Sequence, residues 1–208
     1  MDVKVWMAFV LAAGIVLVVP GPTILLVISQ TISHGRKAVI PLVAGVTLGD
    51  FTAMTLSLLG LGGILATSAA LFSVLKWFGA VYLIYLGIKL WRSNPEKNDI
   101  HLTFKGSSNR SLFKSAFLVT ASNPKSIAFF VAFLPQFIGG RTEKFPQFLI
   151  LGATFLFLAS LNATLYAIFA GQLRYKLQHS KVRHWLNRSG GSVLIGAGLV
   201  TATLKRSF

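Results

Sequence analysis

The sequence predicts an all-α membrane protein in which six transmembrane helices form two inverted three-helix repeats, with helices 1 and 4 broken at proline. Three observations predict it. Of 208 residues, 54% are hydrophobic and only 12% are charged, where a soluble domain carries about 25% charged residues. The apolar residues gather into six stretches, and a span needs about 20 of them. The charges fall into alternate connections between these stretches, as the positive-inside bias requires.

The stretches run roughly over 5–33, 38–62, 70–91, 112–138, 146–172 and 188–205, so the chain reads as one transporter domain over 1–208. The first contains no ionised side chain from Val5 to Ser33. That is too long for the apolar core of a secretory signal, so it is expected to stay in the mature protein. In its middle stands Val18-Val19-Pro20-Gly21-Pro22-Thr23. Proline removes a backbone donor and clashes with the preceding turn, so the helix must kink or break there. At membrane depth such a break is tolerated only where protein or a water-filled cavity covers it, which makes it a candidate lining of a substrate path. Ser29-Gln30 and the turn His34-Gly35-Arg36-Lys37 close this stretch.

The second stretch holds Gly45 and Gly49, four apart on one helix face, and Asp50 directly after them. Paired small residues let another backbone approach closely. Asp50 is the only ionised residue between Lys37 and Lys76, roughly 18 Å from the inner end of its helix at 1.5 Å per residue. Gly60-Leu61-Gly62-Gly63 reads as the end of that span. The third stretch opens with Lys76-Trp77 and contains Tyr82 and Tyr85. A polar, turn-rich linker over 93–111 then separates half-repeats of about 1–92 and 112–208.

In the fourth stretch, Ser122-Asn123-Pro124-Lys125 repeats the interruption of the first, and Leu134-Pro135-Gln136-Phe137 ends it. The fifth contains Ser160, Asn162, Thr164 and Tyr166, and the sixth opens with Ser189-Gly190-Gly191-Ser192. Paired interruptions in two inverted halves mark a transporter's binding site. Lys125 lies roughly 20 Å and Pro22 roughly 16 Å from the inner face, with Asp50 between them in depth. A single ion at that depth costs about 2.5–3.5 kcal/mol or more, and a carboxylate with an ammonium offset that cost together. The pair can serve as a link between helices. It can also serve function, with Asp50 accepting a substrate ammonium or a coupling proton while Lys125 and freed amides hold a carboxylate.

The substrate and coupling candidates are therefore Asp50, Lys125, Pro20, Gly21, Pro22, Asn123 and Pro124. Weaker candidates are Gly45, Gly49, Ser29, Gln30, Tyr82, Gln136 and Asn162, since polar side chains inside membranes more often join helices. No catalytic residue is expected.

Net charge is +15, which in a soluble protein suggests nucleic acid. Thirteen of the 20 lysines and arginines lie in or beside the first, third and fifth connections. Their placement assigns those connections to the cytoplasm and both termini to the periplasmic side, so membrane lipid, not nucleic acid, is the expected partner. There is no cysteine, which excludes thiol redox chemistry. His34, His101, His179 and His184 all fall in polar connections without metal-site spacing. No metal or cofactor is expected, and the chain has no phosphate-binding Gly-rich loop followed by Lys-Ser/Thr.

The residues Pro20-Gly21-Pro22, Gly35, Gly45-x-x-x-Gly49-Asp50, Leu75-Lys76-Trp77-x-Gly79-Ala80-x-Tyr82-Leu83-x-x-Leu86-Gly87, Asn123-Pro124-Lys125-x-x-x-Phe129-Phe130 and Leu134-Pro135-Gln136-Phe137 resemble motifs of the lysine exporter superfamily. The resemblance is closest to its homoserine and threonine exporter branch. It implies a multi-pass protein of the bacterial inner membrane that exports amino acids by proton antiport, with a homodimer among the assemblies it allows. Some branch members have an apolar residue where this chain has Asp50.

The expected function is export of small neutral amino acids such as threonine, homoserine or leucine, or their derivatives, with protons as the coupling ion. A channel or passive pore is the alternative reading, and a membrane-embedded enzyme the third.

Overall fold

A computed structural model describes residues 1–67, 69–92, 108–139, 144–170 and 180–203. Every regular element among them is helical. Helix α1 spans Val3–Val18 and is capped by Asp2, whose side chain accepts from the Lys4 amide at 2.8 Å. It stops where Pro20 offers no donor and forces Val19 out of helical geometry (φ −69°, ψ 115°). Helix α2, Pro22–His34, starts with proline in its first turn behind the N-cap Gly21, a position where the missing amide costs nothing. The two helices meet at 55°.

Gly35 ends α2 with φ 71°, a left-handed conformation suited to glycine, and returns its amide to the Thr31 carbonyl. A 3-10 turn, Arg36–Ala38, leads into α3, Val39–Thr67, which is followed by α4, Ala69–Arg92. In the second half α5 spans Asn109–Ala121 and α6 Pro124–Ala128. A π-helical turn, Phe129–Phe133, and a 3-10 turn, Leu134–Phe137, extend α6. This second interruption bends by 41°. Helices α7, Lys144–Ile168, and α8, Ser180–Thr203, complete the described chain.

Arg36–Gly60 and Lys144–Ile168 are each long and apolar enough to cross a membrane, and each bent pair reaches that length when counted as one span. Helix α4 contributes a shorter apolar stretch, Ala80–Lys89. Two helices run beyond the span limits read from the sequence. Helix α3 runs through the glycines at 60–63 to Thr67, because glycine inside a helix costs only about 1 kcal/mol and keeps its hydrogen bonds. The run Ser189–Ser192 lies well inside α8. There Gly191 is buried against α4, and a Cβ on it would come 2.5 Å from the Gly87 carbonyl oxygen.

Helix α3 packs on α5 through Gly45 and Gly49. A Cβ at Gly45 would lie 2.5 Å from the Phe113 carbonyl oxygen, so only glycine permits this approach. The last helices of the two halves, α4 and α8, pack along each other.

Among the described residues, the two largest of four buried apolar clusters divide the interior. An aromatic core joins Phe9, Ala13 and Val16 of α1 to Ala53 and Met54 of α3, to Phe129, Phe130 and Phe133, and to Phe155 and Ala159 of α7. Its rings touch at 4.8 Å between Phe130 and Phe155 and 5.3 Å between Phe129 and Phe155. An aliphatic core joins Leu26 and Val27 of α2, Leu42 and Val46 of α3, Leu112 and Ala116 of α5, and Ala163 and Ala167 of α7. On α3 the handover between the cores falls between Val46 and Ala53, and on α7 between Ala159 and Ala163. Both helix breaks fall at the same handover.

Candidate functional site

The layer between the cores is polar, and the breaks build it. Ending α1 early frees its last carbonyls, which a continuous helix would have satisfied. Side chains from the second half occupy four of them in a row. Lys125 Nζ donates to the carbonyls of Val16 at 3.0 Å and Val19 at 2.8 Å. Asn162 Nδ2 donates to Leu17 at 3.0 Å, and the Tyr166 hydroxyl to Val18 at 2.6 Å. Asn162 and Tyr166 are four apart, so one face of α7 presents both. The Lys125 ammonium also faces the partly negative end of α1, where a cation is stabilised.

The second break is held from the first. Asn123 caps α6 by accepting the Lys125 amide at 3.1 Å, and its Nδ2 donates to the Thr23 hydroxyl at 3.1 Å. Thr120 donates to the same hydroxyl at 3.3 Å. Gly21 stands beside this junction, where a Cβ would lie 3.4 Å from Lys125 Nζ. Thr47 and Ser160 share a 2.6 Å hydrogen bond that ties α3 to α7 just below this level.

Asp50 is 3% exposed. Ser126 and Lys125 are the polar groups that act on its carboxyl, yet the Lys125 ammonium is directed at the α1 carbonyls and Asp50 Oδ1 has no partner. A buried acceptor left open costs about 1–3 kcal/mol, more when charged. Native proteins keep such atoms mainly where a ligand, ion or water completes them.

The structure thus brings Pro20, Gly21 and Pro22, Asn123, Pro124 and Lys125, and Asp50 to one layer, with Asn162 at its edge. It places the other weaker candidates elsewhere. Gly45 and Gly49 are spent on the α3–α5 contact. Tyr82 is 39% exposed on α4, its ring 6.2 Å from that of Tyr85. Ser29 is half-buried, its carbonyl accepting from Ser33. Gln136 is half-buried in the 3-10 turn beyond the aromatic core. Gln30 is buried on α2.

Thr23, Thr120, Ser126 and Tyr166 also belong to the layer, and sequence reasoning did not select them. Their signals were Thr23 directly after Pro22, Ser126 directly after Lys125, and Tyr166 one turn from Asn162. Among the described residues no three His, Cys, Asp or Glu side chains come together as a metal site. His34 is half-buried and its Nδ1 lies 3.1 Å from the Gln30 carbonyl, while His184 is exposed. His101 and His179 lie outside the described residues.

Comparison with known proteins places this chain in a family. Residues 14–205 match the LysE type translocator family. The chain is 34% identical over 205 residues to a membrane protein of Vibrio cholerae, covering 99% of this chain and all of that one. It is 35% identical over 199 residues to the homoserine/homoserine lactone efflux protein of Salmonella typhimurium, covering 95% and 96%. To the leucine efflux protein of an Enterobacter species it is 34% identical over 200 residues, covering 94% of each. No solved structure matches. A helical chain with broken apolar helices, matched by the family along nearly its whole length, belongs to the LysE type translocators and is a membrane transport protein, not an enzyme.

Proposed function

We propose that this protein exports small neutral amino acids or their derivatives across the bacterial inner membrane in exchange for protons. The observation that carries the reading is the buried, unpartnered oxygen of Asp50 between two apolar cores, at the level where both broken helices open.

The names of the relatives supply the chemistry. Homoserine, homoserine lactone and leucine differ in side chain, and the lactone has no free carboxylate. The α-ammonium is the ionisable group common to all three. A site for such compounds needs a hydrogen-bond acceptor of negative charge, which Asp50 offers. The Lys125 ammonium, engaged by the α1 carbonyls, keeps the break open and opposes the Asp50 charge. One carboxylate that holds either a proton or a substrate ammonium, but not both, exchanges the two across the membrane.

Alternating exposure of that carboxylate follows from two halves, about 1–92 and 112–208, inserted in opposite senses and joined by a cytoplasmic linker. The reciprocal bracing of the two breaks and the meeting of Gly87 with Gly191 support such an inverted pair. The cationic first, third and fifth connections favour a cytoplasmic position for them, with both termini periplasmic.

The test uses purified protein in liposomes with an imposed pH gradient and labelled homoserine, homoserine lactone, threonine and leucine. Saturable, gradient-driven flux with counterflow, lost in Asp50→Asn while insertion is unchanged, is the expected result. Near-normal flux in Asp50→Asn overturns the assignment, and flux without saturation or counterflow marks a pore.

A further inference from the structure

Three buried side-chain oxygens among the described residues have no hydrogen-bond partner, and only one of them belongs to Asp50. The others are Gln30 Oε1 and Thr31 Oγ1, on residues 2% and 7% exposed. Both lie on α2, seven and eight positions beyond Thr23. Helical periodicity puts Thr23, then Leu26 and Val27, then Gln30 and Thr31 on a single face. This face begins at the helix break and reaches Gln30 and Thr31 roughly 10–12 Å further along the axis. Leu26 and Val27, both in the aliphatic core, separate the two polar levels.

The open hydroxyl of Thr31 is unusual for this protein. Thr47, Thr52, Thr55, Thr154 and Thr164 each donate to the carbonyl four residues earlier, at 2.7–2.9 Å. Thr31 does not, although the same option exists in its helix. Gln30, the residue before it, carries an open amide oxygen that can only accept. Open acceptors on two successive residues of α2 suit a ligand that brings several donors on one atom, and a primary ammonium does so.

We infer that Gln30 and Thr31 form a second, shallower station for the substrate ammonium, on the cytoplasmic side of Leu26 and Val27. The inference rests on the reading above, that an ammonium-bearing compound travels along this path to Asp50. One N–H reaches Gln30 Oε1, one reaches Thr31 Oγ1, and the third stays hydrated. Neutral acceptors hold a cation more weakly than a carboxylate does, so passage inward to Asp50 is favourable and the shallow station releases its ligand readily. Half-buried His34, one turn further and bonded to the Gln30 carbonyl, forms the rim.

Gln30→Met and Thr31→Val remove the open acceptors with little change of shape. In inside-out vesicles, with homoserine lactone, homoserine and leucine as probes, the double variant should raise the half-saturation concentration at the cytoplasmic face about tenfold. Maximal rate should stay within twofold, and half-saturation from the opposite face should not move. Thermal stability should hold or rise, since unsatisfied polar atoms have been replaced by apolar ones. A merely structural role for these side chains predicts no such one-sided shift.

Because the chain has no cysteine, a single thiol at the half-buried rim, His34→Cys, reports occupancy by its rate of alkylation. Homoserine lactone should slow that rate even in Asp50→Asn, and the double substitution should remove the protection. Unchanged half-saturation in the double variant, or protection that survives it, overturns the station and leaves the two oxygens to water. Absence of protection by all three compounds overturns it too. Normal flux in Asp50→Asn instead removes the deeper site while the protection data still judge the shallow one.

Discussion

Lys125 of the second half donates its ammonium to the Val16 carbonyl of the first at 3.0 Å, 109 residues away in sequence. The contact exists because Pro20 ends α1 early and because Asn123 and Pro124 restart the chain as α6 with Lys125 in its first turn. One broken helix supplies the acceptors and the other supplies the donor. Lys125→Met should therefore leave two carbonyls open and cost about 3 kcal/mol, from charge-assisted bonds worth about 1.5–3 kcal/mol each. Thermal inactivation in detergent measures this. Lys125→Arg, which keeps the charge, should lose clearly less.

Tyr166 makes a smaller contribution of the same kind. Its hydroxyl gives the Val18 carbonyl a single neutral bond at 2.6 Å. Tyr166→Phe keeps the ring and deletes that bond, so stability should fall by about 1 kcal/mol. Transport should continue with its half-saturation nearly unchanged, because the hydroxyl is directed at backbone. A tenfold loss of apparent affinity would instead place Tyr166 against substrate.

Gly45 and Gly49 set how closely α3 approaches α5, and through α3 where Asp50 stands. A methyl at Gly45 meets a carbonyl oxygen at 2.5 Å and Ala116 Cβ at 2.8 Å, neither of which can yield without moving the helix. Overpacking of this kind costs about 1–3 kcal/mol. Gly45→Ala should lie at the upper end, and the folded yield in membranes should drop for Gly45→Val.

The two interruptions were legible in the sequence, since Pro20, Pro22 and Pro124 remove backbone donors wherever they stand. The close approach at Gly45 and Gly49 was legible for the same local reason. The target of Lys125 was not. Its acceptors are main-chain carbonyls, which have no sequence signature, and their direction depends on a 55° bend set by tertiary packing. Sequence reasoning paired Lys125 in depth with Asp50, whereas its hydrogen bonds go to α1. Gly190-Gly191 reads as the opening of a span, whereas the helix itself starts earlier, at Ser180, and buried Gly191 uses its missing side chain in mid-helix to meet Gly87. Residues such as Ser126 were passed over because serine inside an apolar stretch is uninformative until a neighbour is known.

The aromatic core makes the last prediction, because its position on the far side of Asp50 from the aliphatic core requires it to open if Asp50 is to meet that face. Phe155 is buried in this core, with ring contacts to Phe129 and Phe130. Truncating a buried phenylalanine costs about 3–5 kcal/mol, enough to unfold the protein and confuse the reading. Phe155→Leu retains most of the volume and should cost clearly less. By thinning the ring cluster it should weaken closure of that side selectively, so that exchange without a pH gradient speeds up several-fold while coupled accumulation falls. Parallel assays of counterflow and gradient-driven uptake separate these effects. Equal slowing of both would show that Phe155 supports the fold without acting as a seal.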